Sequence, residues 1–155
     1  MAEGVSASSL QAGFVELASI VRALHGDWSA PVSGYDGWTC HDLLAHLSST
    51  QASLATVAES STKSAPEGAT PFDPNRWNAS QVRKRAEKDP QELLDEFDMG
   101  TTQLVDALSD LDMQKEVRVG AFPGYTLRDA MAKMLEHQKH HLDDLRASLH
   151  AHPEL

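Results

Sequence analysis

Leu135-Glu136-His137-Gln138-Lys139-His140-His141-Leu142 lies inside the last long helical pattern of the chain, where Leu127, Ala130, Met131, Met134, His141, Leu145 and Leu149 recur at intervals of three and four. Residues four apart on an α-helix are separated by only about 40° around the axis, so His137 and His141 project from one face, one turn apart. Such a pair is half of a metal site. His46, in Leu43-Leu44-Ala45-His46-Leu47, shares an apolar stripe with Leu43, Leu47 and Leu54, where an unpaired polar group is costly. Three histidines are thus expected to converge on one core.

Working outward, the helix holding His137 and His141 starts at Thr126, with Asp129 three residues on as a capping-box partner, and runs to about His150. Thr39 with Asp42 repeats that signal and opens a helix to about Ser60 that carries His46. Asp89-Pro90-Gln91-Glu92 supplies an N-cap, a proline at the first helical position and a glutamate three after the cap, and a third long helix follows through Leu93, Leu94, Phe97, Leu104 and Leu108. Leu10, Phe14, Leu17, Val21 and Leu24 mark the first helix, from Ser9 to a stop near His25-Gly26. A short polar helix is expected over Ala79 to Glu87, and residues 1–8 read as a frayed end.

The connection at 60–77 has three prolines and almost no periodicity, which suggests a lid, a pocket wall or a spacer. The connection at 110–125 holds Val117-Arg118-Val119, alternating like a short extended piece. Four long amphipathic helices without a long strand define an all-α chain, a four-helix bundle with long loops, whose topology periodicity leaves open.

At 155 residues the chain fits one domain, 1–155. One cysteine, no apolar run approaching about 18 residues and no charged-then-apolar leader imply a soluble, cytoplasmic protein without a disulfide. Thirteen basic against 23 acidic residues give a formal charge of −10, which disfavours nucleic acid and anionic membrane as partners and is read as serving solubility.

Gly37-Trp38-Thr39-Cys40-His41-Asp42-Leu43-Leu44-Ala45-His46-Leu47, Arg76-Trp77-Asn78-Ala79, Gly124-Tyr125-Thr126-Leu127 and His137-Gln138-Lys139-His140-His141-Leu142-Asp143-Asp144-Leu145 occur in that order. In order and spacing the set resembles the DinB-like metalloprotein superfamily, which includes the mycothiol-dependent maleylpyruvate isomerases and related thiol transferases. The resemblance implies a four-helix bundle of down-up-up-down connectivity, frequent homodimers and a divalent ion on a triad, here His46, His137 and His141. The isomerase branch often has glutamate at the position of His137, a departure that points away from the isomerase itself.

Three neutral imidazoles leave an open coordination position, as in catalytic zinc sites, with nickel or manganese as other candidate ions. A low-molecular-weight thiol is the expected cosubstrate, activated for transfer to, or isomerisation of, an electrophilic small molecule. Metal-dependent hydrolysis of a small amide or ester, and non-catalytic metal or ligand binding in a stress response, are the alternatives. Gln138 cannot serve as the carboxylate base of a His-Glu-x-x-His protease. The resemblance places Trp38, Arg76 and Trp77 near the pocket mouth, the tryptophans to wall a small ligand or else to pack in the core, and Arg76 to meet a carboxylate. Asp42 and Asp144 are candidates to hold ligand ring nitrogens. His140 reads as flanking the site, Cys40 as a small buried hydrophobe, and His25, His41, His150 and His152 as surface or helix-end residues.

Overall fold

The computed structural model describes residues 7–64, 68 and 72–151. Among them are five helices and no strand: α1 (Ala7–Arg22), α2 (Cys40–Ser60), α3 (Pro74–Lys84), α4 (Pro90–Asp110) and α5 (Leu127–Ala151). Each of α1 and α2 packs against α4 and α5, while α3 rides on α2. The consecutive pairs α1/α2 and α4/α5 therefore stand across the bundle from each other, which is why their connections are long. Gln11 near the start of α1 donates to the Val105 carbonyl near the end of α4, so those two helices run antiparallel. His41 and Gln51 of α2 meet Lys88 and Thr101 in that order, so α2 and α4 run parallel.

The starts of α2 and α4 follow their sequence signals. Thr39 and Asp42 form a full capping box, as do Asp89 and Glu92 behind Pro90. Asp129 N–H donates to the Thr126 hydroxyl at 3.1 Å at the head of α5. Both site-bearing helices also leave a pinned loop, because isolated bridges join Pro31 to Thr39 and Glu116 to Thr126. Val117 is buried beside the second bridge. Each pin fixes where its helix begins.

Two boundaries differ from expectation. The first helix takes in Ala7 and Ser8 and ends at Arg22, and a turn carries the chain to Gly26 at φ 147°; residues 1–6 of the expected frayed end lie outside the described residues. The short helix begins at Pro74, five residues before Ala79, because Asp73 accepts from the Arg76 N–H and Pro74 sits in the first turn. This is the signal read correctly at Asp89-Pro90, overlooked inside a proline-rich stretch. Residues 65–67 and 69–71 of the expected lid lie outside the described residues.

α2 is the central helix. From Leu43 to Gln51 every residue is buried, because α3, α4 and α5 surround it. Its polar side chains are satisfied by neighbouring helices: Ser48 donates to the Leu93 carbonyl at 2.7 Å and Gln51 to the Thr101 hydroxyl at 2.9 Å. Gln138 of α5 donates both to the Gln51 side-chain carbonyl and to the Leu47 carbonyl, each at 3.1 Å. No described helix is long and apolar enough to cross a membrane.

Gly100 lets α4 approach α2 at backbone distance. A Cβ there would stand 2.7 Å from the Gln51 carbonyl oxygen and 2.8 Å from the Ala52 Cα, rigid atoms that cannot swing aside. Gly100→Ala is expected to lower stability by about 1–3 kcal/mol through overpacking, despite alanine's better helix propensity. The urea midpoint measures this, and an undiminished midpoint would show that α2 and α4 separate freely.

Candidate metal centre

The register set by Gln138 on Leu47 brings His137 and His141 to the level of His46. The ligating nitrogens of His46, His137 and His141 all lie within 4.8 Å of one another. His137 Nε2 and His141 Nε2 are 3.1 Å apart, close to the roughly 3.3 Å edge of a tetrahedron with zinc–nitrogen bonds of about 2.0–2.1 Å. His46 Nδ1 is buried with no hydrogen-bond partner, an orphaned lone pair or N–H of the kind a bound ion relieves. These residues fit a divalent ion.

Burial, then the neighbouring imidazoles, depresses the basicity of the cluster. His46 is lowered to about 4, first by desolvation and then by His137. His141 falls to about 3, by desolvation and then by His137, His46 and His140, against the opposing pull of Asp144. His137 is also lowered, by burial first. All three are neutral near pH 7, the form that binds metal.

The tautomer of His141 follows from its other neighbour. Tyr35 Oη lies 2.6 Å from His141 Nδ1 and donates to Asp144 Oδ2 at 2.6 Å. Burial, with Asp144 beside it, pushes the Tyr35 hydroxyl far up, so the phenol keeps its proton and gives it to the carboxylate. Its oxygen then accepts from His141 Nδ1–H, and Nε2 is left with a lone pair facing His137. Asp144 thus orients His141 through Tyr35 rather than directly. His140 is largely exposed and flanks the site, 3.7 Å from Asp144.

Above the histidines is an open cleft of about 320 Å³, further lined by Tyr35, Asp36, Trp38 and Asn78. Trp38 lies over His46, with ring centroids 5.7 Å apart. Arg76 and Trp77 do not line the cleft: both sit in the first turn of α3, Arg76 exposed and Trp77 beside Phe72. The helix that starts at Pro74 turns Asn78, not its two predecessors, towards the histidines. Asp42 is spent on the Thr39 cap, accepting from its backbone N–H at 2.9 Å. Cys40 is buried in the first turn of α2, its thiol raised by burial. Tyr35, Asp36 and Asn78 escaped the sequence reading; the signal for the first two was the glycine-bracketed turn beside Trp38.

Three neutral imidazoles converging on an open cleft in an all-helical bundle define a candidate metal centre of the DinB-like class. The chain matches the mycothiol maleylpyruvate isomerase N-terminal domain family over residues 10–144, and it belongs to that family. No curated protein and no solved structure matches it.

Tyr35→Phe removes the hydroxyl that bridges Asp144 to His141 and leaves the ring in place. Metal affinity is expected to fall about 10–100-fold, measured by competition with a chromogenic chelator. Affinity equal to wild type would show that His141 needs no such support.

The histidines also give a pH dependence. In the unfolded chain each protonates near about 6.5, whereas the folded protein holds them neutral to lower pH. Unfolding therefore takes up protons as the pH falls. The metal-free protein is expected to keep this stability above about pH 6.5 and to lose it progressively towards about 4, where folded His46 titrates. Melting temperatures from pH 8 to 4 should fall less steeply for His46→Gln than for wild type, and parallel curves would contradict the assignment.

Proposed function

We propose that the protein is a divalent-metal enzyme, zinc being the favoured ion, that transfers a low-molecular-weight thiol to an electrophilic small molecule or isomerises such a molecule with the thiol's help. The observation that carries this is the convergence of His46, His137 and His141, neutral and with ligating nitrogens within 4.8 Å of one another, at a cleft large enough for a small molecule. Membership of a mycothiol-related family supports the thiol as cosubstrate. The enzyme would act in the cytoplasm and, as the family resemblance implies, as a homodimer.

The three histidines would hold the ion through ring nitrogens. A divalent ion at such a site lowers the pKa of a bound thiol or water by several units. Tyr35 and Asp144 keep His141 in the tautomer that offers Nε2. Trp38 shields His46 and gives a substrate an apolar wall, while Asn78 offers both a donor and an acceptor at the cleft rim. The low basicity of the histidines keeps protons from competing for their ring nitrogens near neutral pH.

Elemental analysis of protein purified without a histidine tag, beside His46→Ala and His141→Ala, tests the centre. About one equivalent in wild type, lost in both variants, is expected. The loaded protein should then accelerate consumption of a low-molecular-weight thiol by a small electrophile. Wild-type protein that stays metal-free after incubation with zinc, nickel and manganese would sink the reading.

A further inference from the structure

The loop that supplies Tyr35 also delivers its neighbour to the cleft. Gly34 and Gly37 bracket Tyr35 and Asp36 with φ of 87° and 76°, a conformation glycine adopts at little cost. The Tyr35 N–H donates to the Val32 carbonyl at 3.3 Å and the Trp38 N–H to the Tyr35 carbonyl at 3.0 Å. This double turn puts Asp36 on the wall that also carries Tyr35 and Trp38. Their two rings stack, with centroids 6.0 Å apart and planes 22° apart. Because the Tyr35 hydroxyl is committed to Asp144 and His141, that residue turns chiefly its ring to an incoming molecule.

The balance of charge on this wall is one-sided. All 13 lysines and arginines of the chain occupy described positions, and none of them lines the cleft. Arg76, the residue that the sequence offered as a carboxylate partner, is exposed on α3 outside it. Asn78 is neutral. A divalent ion on three imidazoles attracts an anionic reacting atom, but the far end of the same molecule meets a carboxylate and aromatic faces. A carboxylate there is repelled by Asp36 and finds no cation of the protein to pair with. An ammonium there gains both the Asp36 charge and the electron-rich ring faces.

Resting on the thiol-activating reading above, we infer that the cleft selects small molecules whose head group is positively charged and disfavours those whose head group is a carboxylate, with Asp36 as the specificity-determining residue. A dicarboxylate substrate is therefore a poor match for this chain.

The test uses cobalt-loaded protein and three thiols of similar length: thiocholine, a permanent cation; 2-mercaptoethanol, neutral; and 3-mercaptopropionate, an anion. Each is titrated while the visible cobalt spectrum is followed, and cobalt content is checked after each titration. Thiocholine is expected to bind more tightly than 3-mercaptopropionate by roughly fivefold or more at low salt, the scale of one partly solvated charge pair, with 2-mercaptoethanol between them. Salt should compress the order. Asp36→Asn should flatten it and Asp36→Lys invert it, at unchanged cobalt content. Equal or tighter binding of 3-mercaptopropionate, or an order that survives Asp36→Asn, overturns the inference and leaves the thiol reading intact. Cobalt-loaded protein whose spectrum none of the three thiols changes overturns the thiol reading and this inference with it.

Discussion

The hydrogen bonds that Gln138 makes across the core hold the site together. Its side-chain amide donates to the Leu47 carbonyl and to Gln51, and Gln51 passes the chain of bonds on to Thr101, so α5, α2 and α4 are tied at one level. Gln138 is fully buried, and sliding α5 along its axis would strand its amide at a cost of about 1–3 kcal/mol per lost partner. Each residue of slip is also about 1.5 Å of travel. His137 adjoins Gln138 and His46 adjoins Leu47, so the same bonds fix the distance between the candidate ligands. The glutamine that rules out the protease motif thus does structural work on the face of α5 turned away from the cleft.

That constraint accounts for the electrostatics of the site. Once α5 is locked against α2, the imidazoles of His46, His137 and His141 have one another for close neighbours, and two positive charges there would be unfavourable. Their basicity falls, and each keeps a lone pair near neutral pH. His141 has a strong polar partner on its far nitrogen, Tyr35, with Asp144 behind it. The most perturbed imidazole is therefore also the one whose orientation is best determined.

Much of this architecture could be read in the chain because it rests on local rules. The caps at Thr39, Asp89 and Thr126 and the three-and-four spacing of the leucines place α2, α4 and α5 within a residue or two. The four-residue spacing of His137 and His141 fixes their common face. The reading weakened where position depends on how a loop folds back. Nothing periodic distinguishes Tyr35 in a turn-rich connection, and its role follows only from the bridge between Pro31 and Thr39 that folds the loop over α5. Asp42 and Asp144 are each a few residues from a candidate ligand, and sequence distance could not tell that one would be used up by a helix cap. The proline-rich run before Arg76 masked the Asp73-Pro74 start, and with it the fact that Asn78 of that helix lines the cleft.

The identity of the third ligand shifts where negative charge is held. A glutamate at the position of His137, as the isomerase branch often has, would place a carboxylate directly on the ion and lower the net charge of the centre by one. Here all three candidate ligands are neutral, and the nearest carboxylates stand one step back: Asp144 behind Tyr35, and Asp36 on the cleft wall. A carboxylate acting through a phenol orients a ligand without occupying a coordination position or fully cancelling the charge of the ion. A carboxylate on the wall acts instead on whatever enters. An ion held there would stay strongly electrophilic for the atom it binds, and under the inference above the choice of the rest of the molecule would fall to the loop at residues 31–39, so reactivity and selectivity would rest on separate parts of the fold.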